Sequence, residues 1–336
     1  MCSCVWEITL KCSFNCMYCG SKGGEPRDNE LTTEECLAVN SQLAELGCRR
    51  VSLIGGEVFL RNDWKKIACD LIRQEIRVAL VSNGYLIDDG CAKELSDMGI
   101  ESIAISIDGP EFLHDAYRMK GSYRKAIDAI DRLIKYGNVV SVITTLNAEN
   151  ILHLENLYHE LCQHKIFAWQ LQACSPMGNA AKNNIEYQID FQTVIDFVNR
   201  YGVSSPFIIG IADNIGYYSD REGFLRGNCH GKGYFLGCRA GLTALAIDSI
   251  GNVRGCESMY DDKFIEGNLR KRSLRDIWED PKAFSYNRDF EAGLLEGKCR
   301  TCDKGPICAG GCRSYNYFDH GNIYQSIRCV RNCRSL

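Results

Sequence analysis

No run of apolar residues in this chain approaches the length that spans a bilayer, so a membrane-spanning helix is not expected. There is no surplus of positive charge either. Lys and Arg number 39 against 43 Asp and Glu, a formal net charge of -4, so the basic footprint of a nucleic-acid binder is missing. The N-terminus reads Met1-Cys-Ser-Cys-Val-Trp-Glu, with no basic segment leading into an apolar one, and no secretion signal is expected. What is there is an ordinary globular composition, 45% hydrophobic and 24% charged over 336 residues, enough for one large or two medium domains with a sizeable core. Cysteine is the exception. The chain has 20, bunched toward its two ends rather than spread as in a disulfide framework. Without an export signal, such thiols point to metal or redox sites and to a reducing, low-oxygen cytoplasm.

The densest group is Cys12-Ser-Phe-Asn-Cys16-Met-Tyr-Cys19, a CxxxCxxC spacing. Three thiolates on one short loop suit three corners of a [4Fe–4S] cubane, which normally takes four Cys ligands. One iron is then left open, and an open coordination position is what makes a metal site reactive rather than structural. The alternative is a structural zinc loop completed by a distant Cys, although zinc loops usually use CxxC pairs.

From there the chain alternates. Strand-like runs lie at Val5–Thr9, Arg50–Ile54, Val78–Val81, Ser102–Ile107, Val139–Thr145 and Ala168–Ala173. Helical patterns lie between them: a helix opened by a Thr32–Glu35 capping box with an apolar face of Leu37, Leu43 and Leu46, then Asp63–Gln74, Asp88–Met98, Tyr123–Tyr136 and Ile151–His164. Six such units imply right-handed βαβ crossovers and a parallel sheet, short of the eight that close a full barrel. A doubly wound open sheet gives the same periodicity. In either case ligands sit at the C-terminal ends of the strands. That rim carries the Cys loop, Gly55-Gly-Glu57, Ser82-Asn83-Gly84, Ser106, Asp108 and Asn147. The pair Gly55 and Gly56 lets a backbone approach a ligand closely, and Glu57 is an acceptor for an ammonium. Ser82, Asn83, Ser106 and Asp108 are either contacts to ribose hydroxyls or substrate, or plain strand-end caps.

The three-Cys loop with Tyr18 before its third thiol, followed about forty residues later by the Gly-Gly-Glu after a strand, resembles the radical S-adenosylmethionine (radical SAM) superfamily. The resemblance implies a partial (β/α)6 TIM-like barrel. It also implies that Cys12, Cys16 and Cys19 hold a cluster whose fourth iron S-adenosylmethionine chelates. Gly55-Gly56-Glu57 then matches the motif that binds the methionine amino group. Arg118 resembles the arginine that pairs the carboxylate, a bidentate contact suited to guanidinium; the alternative is a solvated Arg. Tyr18 lies near the adenine or is a core aromatic.

Past Cys174-Ser-Pro-Met, the polar run 179–186 reads as a boundary loop. Asp190–Tyr201 reads as one more amphipathic helix, and after Gly202 the βα rhythm is expected to stop. Cysteine then takes over: Cys229, Cys238, Gly251-Asn-Val-Arg-Gly-Cys256, Cys299-x2-Cys302-x5-Cys308-x3-Cys312, and Cys329, with Cys333 spare. Thr243–Asp248 and Val253–Cys256 look like two strands around a turn. This order, with Gly267-Asn-Leu and Ser273-Leu-Arg-Asp-Ile-Trp278, resembles the SPASM extension of radical SAM enzymes. Eight thiols suit two more [4Fe–4S] clusters; zinc ribbons are the alternative. By resemblance the first takes Cys238, Cys256 and Cys312, with Cys229 chosen as fourth ligand. The second takes Cys299, Cys302, Cys308 and Cys329. The remaining cysteines (Cys2, Cys4, Cys36, Cys48, Cys69, Cys91, Cys162 and Cys174) read mainly as small buried hydrophobes, with Cys174 near the expected cavity.

The division expected is 1–180 radical SAM partial barrel, 181–228 bridging region and 229–336 small irregular α+β SPASM domain with two Fe–S clusters. The resemblance implies three [4Fe–4S] clusters, S-adenosylmethionine, an electron donor such as flavodoxin or ferredoxin, and a 5'-deoxyadenosyl radical that abstracts a substrate hydrogen. The first expectation for substrate is a ribosomally synthesised peptide, oxidatively modified or crosslinked. Because the chain begins almost at its first strand, a leader-peptide binder is expected to be a separate protein. The second is dehydrogenation or oxidative decarboxylation of a small cofactor precursor; the third, an electron carrier without catalysis. Asp108, Asp213, Tyr217 and Glu257 are the acidic or polar candidates for a general base.

Overall fold

The computed structural model describes residues 1–227 and 233–333; Cys229 and the Cys333 side chain lie outside the described residues. In chain order the elements are β1 (Ser3–Glu7), α1 (Thr33–Glu45), β2 (Arg50–Ile54), α2 (Trp64–Arg73), β3 (Arg77–Ser82), α3 (Asp89–Met98), β4 (Ser102–Ser106), α4 (Glu111–Tyr117), α5 (Ser122–Lys135), β5 (Val140–Leu146), α6 (Leu154–Leu161) and β6 (Ala168–Ala173). They continue with α7 (Gly178–Lys182), α8 (Phe191–Tyr201), β7 (Ile208–Ile211), α9 (Glu222–Arg226), β8 (Ala244–Ile247), β9 (Asn252–Arg254), β10 (Gly267–Asn268), α10 (Leu274–Trp278), α11 (Ser285–Arg288), α12 (Gly297–Arg300), α13 (Gly305–Cys308) and α14 (Arg313–His320).

Local chemistry sets several of these boundaries. Thr32 Oγ1 accepts from the Glu35 amide at 3.2 Å while Glu35 accepts from the Thr32 amide at 2.8 Å, so α1 starts on the expected capping box. Its buried face differs from expectation: Cys36, Val39 and Leu43 turn inward, and Leu37 and Leu46 are only half-buried. In α5, Tyr123, Ala126, Ala129, Ile130 and Leu133 are buried at the three- and four-residue spacing of an amphipathic helix.

The strands form one open, ten-stranded sheet in the order β10-β9-β8-β1-β2-β3-β4-β5-β6-β7, so the barrel is not closed. β1 to β6 are parallel neighbours, as the crossover rhythm predicts. The rhythm does not stop at Gly202, however. β7 adds to β6 in parallel, a four-residue edge strand too short to show a period. On the other side β8 runs parallel to β1, with Ser3 opposite Ala244 and Trp6 opposite Ile247, and β9 and β10 follow antiparallel. The sheet therefore continues across the division expected at 180 and 228. Among the described residues no helix is long and apolar enough to cross a membrane.

Candidate active site

The C-terminal ends of the strands enclose a cavity of about 310 Å3, and Cys12, Cys16 and Cys19 all border it. The loop carrying them is held from three sides. At the end of β2, the Gly56 amide donates to Thr9 O and the Glu57 amide to Lys11 O, each at 2.8 Å. A Cβ on Gly55 would stand 2.6 Å from Thr9 O, and one on Gly56 would press into the Leu10 and Lys11 carbonyls. The glycines thus admit the neighbouring backbone while still bordering the cavity. Within the loop, the Cys12 amide donates to Gly24 O at 2.7 Å. From the far side comes α7, where a boundary loop was expected. Asn179 donates its amide to Cys19 O at 2.9 Å and its Nδ2 to Cys16 O at 3.0 Å and Asn15 Oδ1 at 3.2 Å.

Burial pushes the Cys12 thiol up to about 12 and the Cys16 thiol to about 11, the latter opposed chiefly by Arg118. Bare, both thiols stay protonated at neutral pH, so a metal bound here must displace their protons. The Phe14 amide donates to Cys12 Sγ at 3.4 Å and the Gly23 amide to Cys19 Sγ at 3.3 Å, bonds that favour thiolate sulfur. Three thiols on one cavity wall supply three of the four Cys ligands a [4Fe–4S] cluster normally takes.

The rim residues divide into those that face the cavity and those that support it. Tyr18, Gly55, Gly56, Ser82, Asn83, Ser106 and Arg118 border it; Glu57 and Asp108 do not. Glu57 is buried, and its carboxylate accepts from Ser82 Oγ and the Asn83 amide, each at 2.9 Å. In this position it clamps the end of β3. Asp108 is fully buried, and its oxygens accept from the Thr145 amide at 2.9 Å, from Tyr18 Oη and from Arg118 Nε. Burial alone would raise the Asp108 carboxyl, but the Arg118 and His114 charges and the hydrogen bonds hold it below the usual carboxylate range. It anchors Arg118. Asn83 Oδ1 accepts from the Tyr85 amide at 2.9 Å, whereas its buried Nδ2 has no partner among the described residues, an orphaned donor in the cavity wall. Such a group is costly unless a ligand satisfies it.

The opposite wall is built from residues that carry no motif in the sequence. Thr145, Gln172 and Asn214 border the cavity at the ends of β5, β6 and beyond β7, and Ser258 reaches it from the C-terminal region. Gln172 Nε2 donates to Thr145 Oγ1 at 3.0 Å, and Asn214 exchanges two bonds with the Ala173 backbone, at 3.1 and 2.8 Å. Their position at strand ends was the only available signal. Cys174 also lines the cavity, its thiol raised to about 12 by burial. A side chamber of about 150 Å3 shares the wall residues Gly20, Ile54, Met177 and Ser258 and extends to Glu257 and Arg254.

The C-terminal thiols gather in two places. Cys256 lies beside Cys238 and Cys312, and burial with these neighbours and Glu257 raises it. Cys299, Cys302, Cys308 and Cys329 line a second small cavity, and burial and its three companions push Cys308 up to about 12. Tyr217 lies between the sets: its hydroxyl accepts from the Cys312 amide at 2.8 Å and its carbonyl from Cys329 Sγ at 3.6 Å.

Comparison with known proteins agrees with this architecture. The Radical SAM superfamily model matches residues 6–161, and that of the SPASM iron-sulfur cluster-binding domain matches residues 238–303. Residues 6–161 are thus a radical SAM domain and residues 238–303 a SPASM domain, in an enzyme of oxidoreductase type. Among its relatives, an AdoMet-dependent heme synthase of Methanosarcina barkeri is 26% identical over 331 residues, covering 95% of this chain and 93% of that one. The mycofactocin maturase MftC of Mycolicibacterium smegmatis is 24% identical, covering 93% and 78%. The crystal structure of Streptococcus suis SuiB bound to precursor peptide SuiA superposes with a TM-score of 0.76 at 17% identity, over 98% of this chain and 75% of that one.

Proposed function

We propose that Cys12, Cys16 and Cys19 hold a [4Fe–4S] cluster, that S-adenosylmethionine binds in the adjoining cavity, and that the enzyme oxidatively modifies or crosslinks a ribosomally made peptide. Together these cofactors supply reductive C–S cleavage and a 5'-deoxyadenosyl radical that takes a hydrogen atom from the substrate. The protein's task is to bind, orient and exclude water. Arg118, steadied by Asp108, pairs with the carboxylate of S-adenosylmethionine. The backbone of Gly55 and Gly56, not the Glu57 side chain, is left to meet its ammonium. Ser106 and the orphaned Asn83 Nδ2 face its polar groups, with Tyr18 beside them. Of the four candidate bases, Asp108 is locked in its ion pair, Asp213 points to solvent and Tyr217 is hydrogen-bonded between the thiol sets. Glu257 borders the side chamber and is our choice of proton acceptor.

Two further [4Fe–4S] clusters complete the proposal, on Cys238, Cys256, Cys312 and Cys229, and on Cys299, Cys302, Cys308 and Cys329. Residues 1–180 are then the radical-generating unit, 181–228 the bridge and 229–336 the auxiliary unit. A flavodoxin or ferredoxin is the proposed reductant, a separate leader-peptide binder a proposed partner, and the cytoplasm the proposed compartment.

Cavity size carries the peptide reading. At about 310 Å3 the site is at the low end for a single drug-sized ligand. The adjoining chamber of about 150 Å3 offers room for an inserted side chain beside S-adenosylmethionine. The heme synthase relatives support the alternative, a small cofactor precursor. The test is anaerobic reconstitution, dithionite and S-adenosylmethionine. We expect iron and 5'-deoxyadenosine from the wild type and none of the latter from Cys16→Ala. Zinc in place of iron, or full activity in that variant, overturns the reading. Deuterium passing from a labelled precursor peptide encoded beside the gene into 5'-deoxyadenosine decides for the peptide. The lack of any short Cys- or Gly-rich precursor frame there decides against it.

A further inference from the structure

We propose that the side chamber is a subsite for a primary carboxamide, the end of an Asn or Gln side chain of the substrate. The inference rests on the reading of the adjoining cavity as the place of the radical reaction, and it names a substrate group for that site. Arg254, at the end of β9, lines the chamber and is 6% exposed. Its Nη1 donates to Asp248 Oδ2 at 2.8 Å, and its guanidinium lies 5.3 Å from the centre of the Tyr260 ring. Its Nε is buried and has no partner among the described residues. A charged donor left so is costly, and an acceptor on a ligand would satisfy it. Glu257, half-buried, lines the same chamber. Its carboxylate accepts from its chain neighbours, Cys256 Sγ at 3.3 Å and Ser258 Oγ at 3.5 Å. A carboxylate offers about four lone-pair sites, so Glu257 has acceptor capacity to spare.

The charges of the wall select the group. Its other two acids are matched already, Asp248 by Arg254, and Glu7 by Arg27 and by Tyr260 Oη at 3.3 Å. The exposed Asp262, 4.0 Å from Arg254 Nη2, does not line the chamber. A ligand carboxylate would satisfy Arg254 but stand against Glu257, Glu7 and Asp248. An ammonium would satisfy Glu257 but leave Nε orphaned and set a second cation beside the guanidinium. A carboxamide carries no net charge and has both an acceptor oxygen and an NH2 donor. Its oxygen accepts from Arg254 Nε, and its nitrogen donates to one Glu257 oxygen, leaving the other free as proton acceptor. Ile54, Met177, Ala246 and Ile247 give the methylene stem an apolar wall. The volume of about 150 Å3 holds such an end but falls below the roughly 300 Å3 of a site for a whole small ligand.

The test is equilibrium dialysis of the reconstituted, S-adenosylmethionine-loaded enzyme against N-acetylglutamine methylamide and its glutamate, lysine and norleucine counterparts. We expect the glutamine probe to bind about tenfold more tightly than the other three. Arg254→Met should erase its lead over norleucine. Glu257→Gln, which keeps the shape and removes the charge, should bring the glutamate probe level with it. Equal binding of all four probes by the wild type, or a preference for glutamate, lysine or norleucine, overturns the proposal. So does either variant that folds, keeps its iron and retains the wild-type order. If Arg254→Met loses its iron, the order in Glu257→Gln decides. If the glutamine probe leads but dithionite yields no 5'-deoxyadenosine, the radical reading fails and the subsite stands. If 5'-deoxyadenosine forms and the probes bind alike, the subsite alone fails.

Discussion

The buried Glu57 carboxylate accepts from Ser82, Asn83 and Phe59, and burial nevertheless raises its pKa above the ordinary value. A group that binds its proton more tightly in the native state loses stability as pH climbs from the unfolded value of about 4.3 through the folded one. Glu57→Gln keeps the shape and lacks the titration. Its stability relative to wild type should therefore improve across that window, read by thermal unfolding of the two proteins side by side. A difference that stays constant from about pH 4 to pH 7 would show that Glu57 titrates normally. Asn83 makes a different expectation. Its Nδ2 is unpaired among the described residues and faces the cavity wall, so Asn83→Leu should bind S-adenosylmethionine about tenfold more weakly with little loss of fold, measured by equilibrium binding.

At the scale of elements, the Cys loop is clamped between the end of β2 and α7. Gly56→Ala drives a methyl into the Leu10 and Lys11 carbonyls. Overpacking of this kind costs on the order of 1–3 kcal/mol, and here the strain falls on the segment leading into Cys12. Iron retained per chain after desalting should fall, with α1 and the distal helices intact by circular dichroism. Asn179→Ala removes the Nδ2 bonds to Cys16 O and Asn15 Oδ1 and should speed iron loss in the same assay. Thr32→Ala is the contrast. It unmakes the α1 cap at a cost of about 1 kcal/mol and should leave 5'-deoxyadenosine formation unchanged.

Across the whole molecule, the C-terminal region is tied on by backbone pairing of β8 with β1, yet beyond β10 it consists of short helices and loops. Its core leans on thiol clusters and on the buried Arg313, which donates to Asn287 Oδ1 at 2.9 Å and Ile323 O at 2.8 Å. Removing iron with a chelator should open this region to protease and hydrogen exchange while β1 to β6 stay protected, since metal binding there is coupled to folding.

Periodicity and spacing carried much of this into the sequence. The alternation of β1 to β6 with helices is legible because strands and helices repeat their apolar residues at two different intervals, and the rim follows from parallel topology. The thiol spacings are legible because ligands to one metal group come close together along the chain. Only the tertiary structure decided what the rim residues touch. Glu57 and Asp108 meet Ser82, Asn83, Tyr18 and Arg118, which are remote from them in sequence or face them only after folding. Asn179, Gln172 and Asn214 are single polar residues with no period, and β7 is a four-residue edge. What such groups touch is settled by how distant segments pack, and nothing in their immediate neighbours along the chain records it.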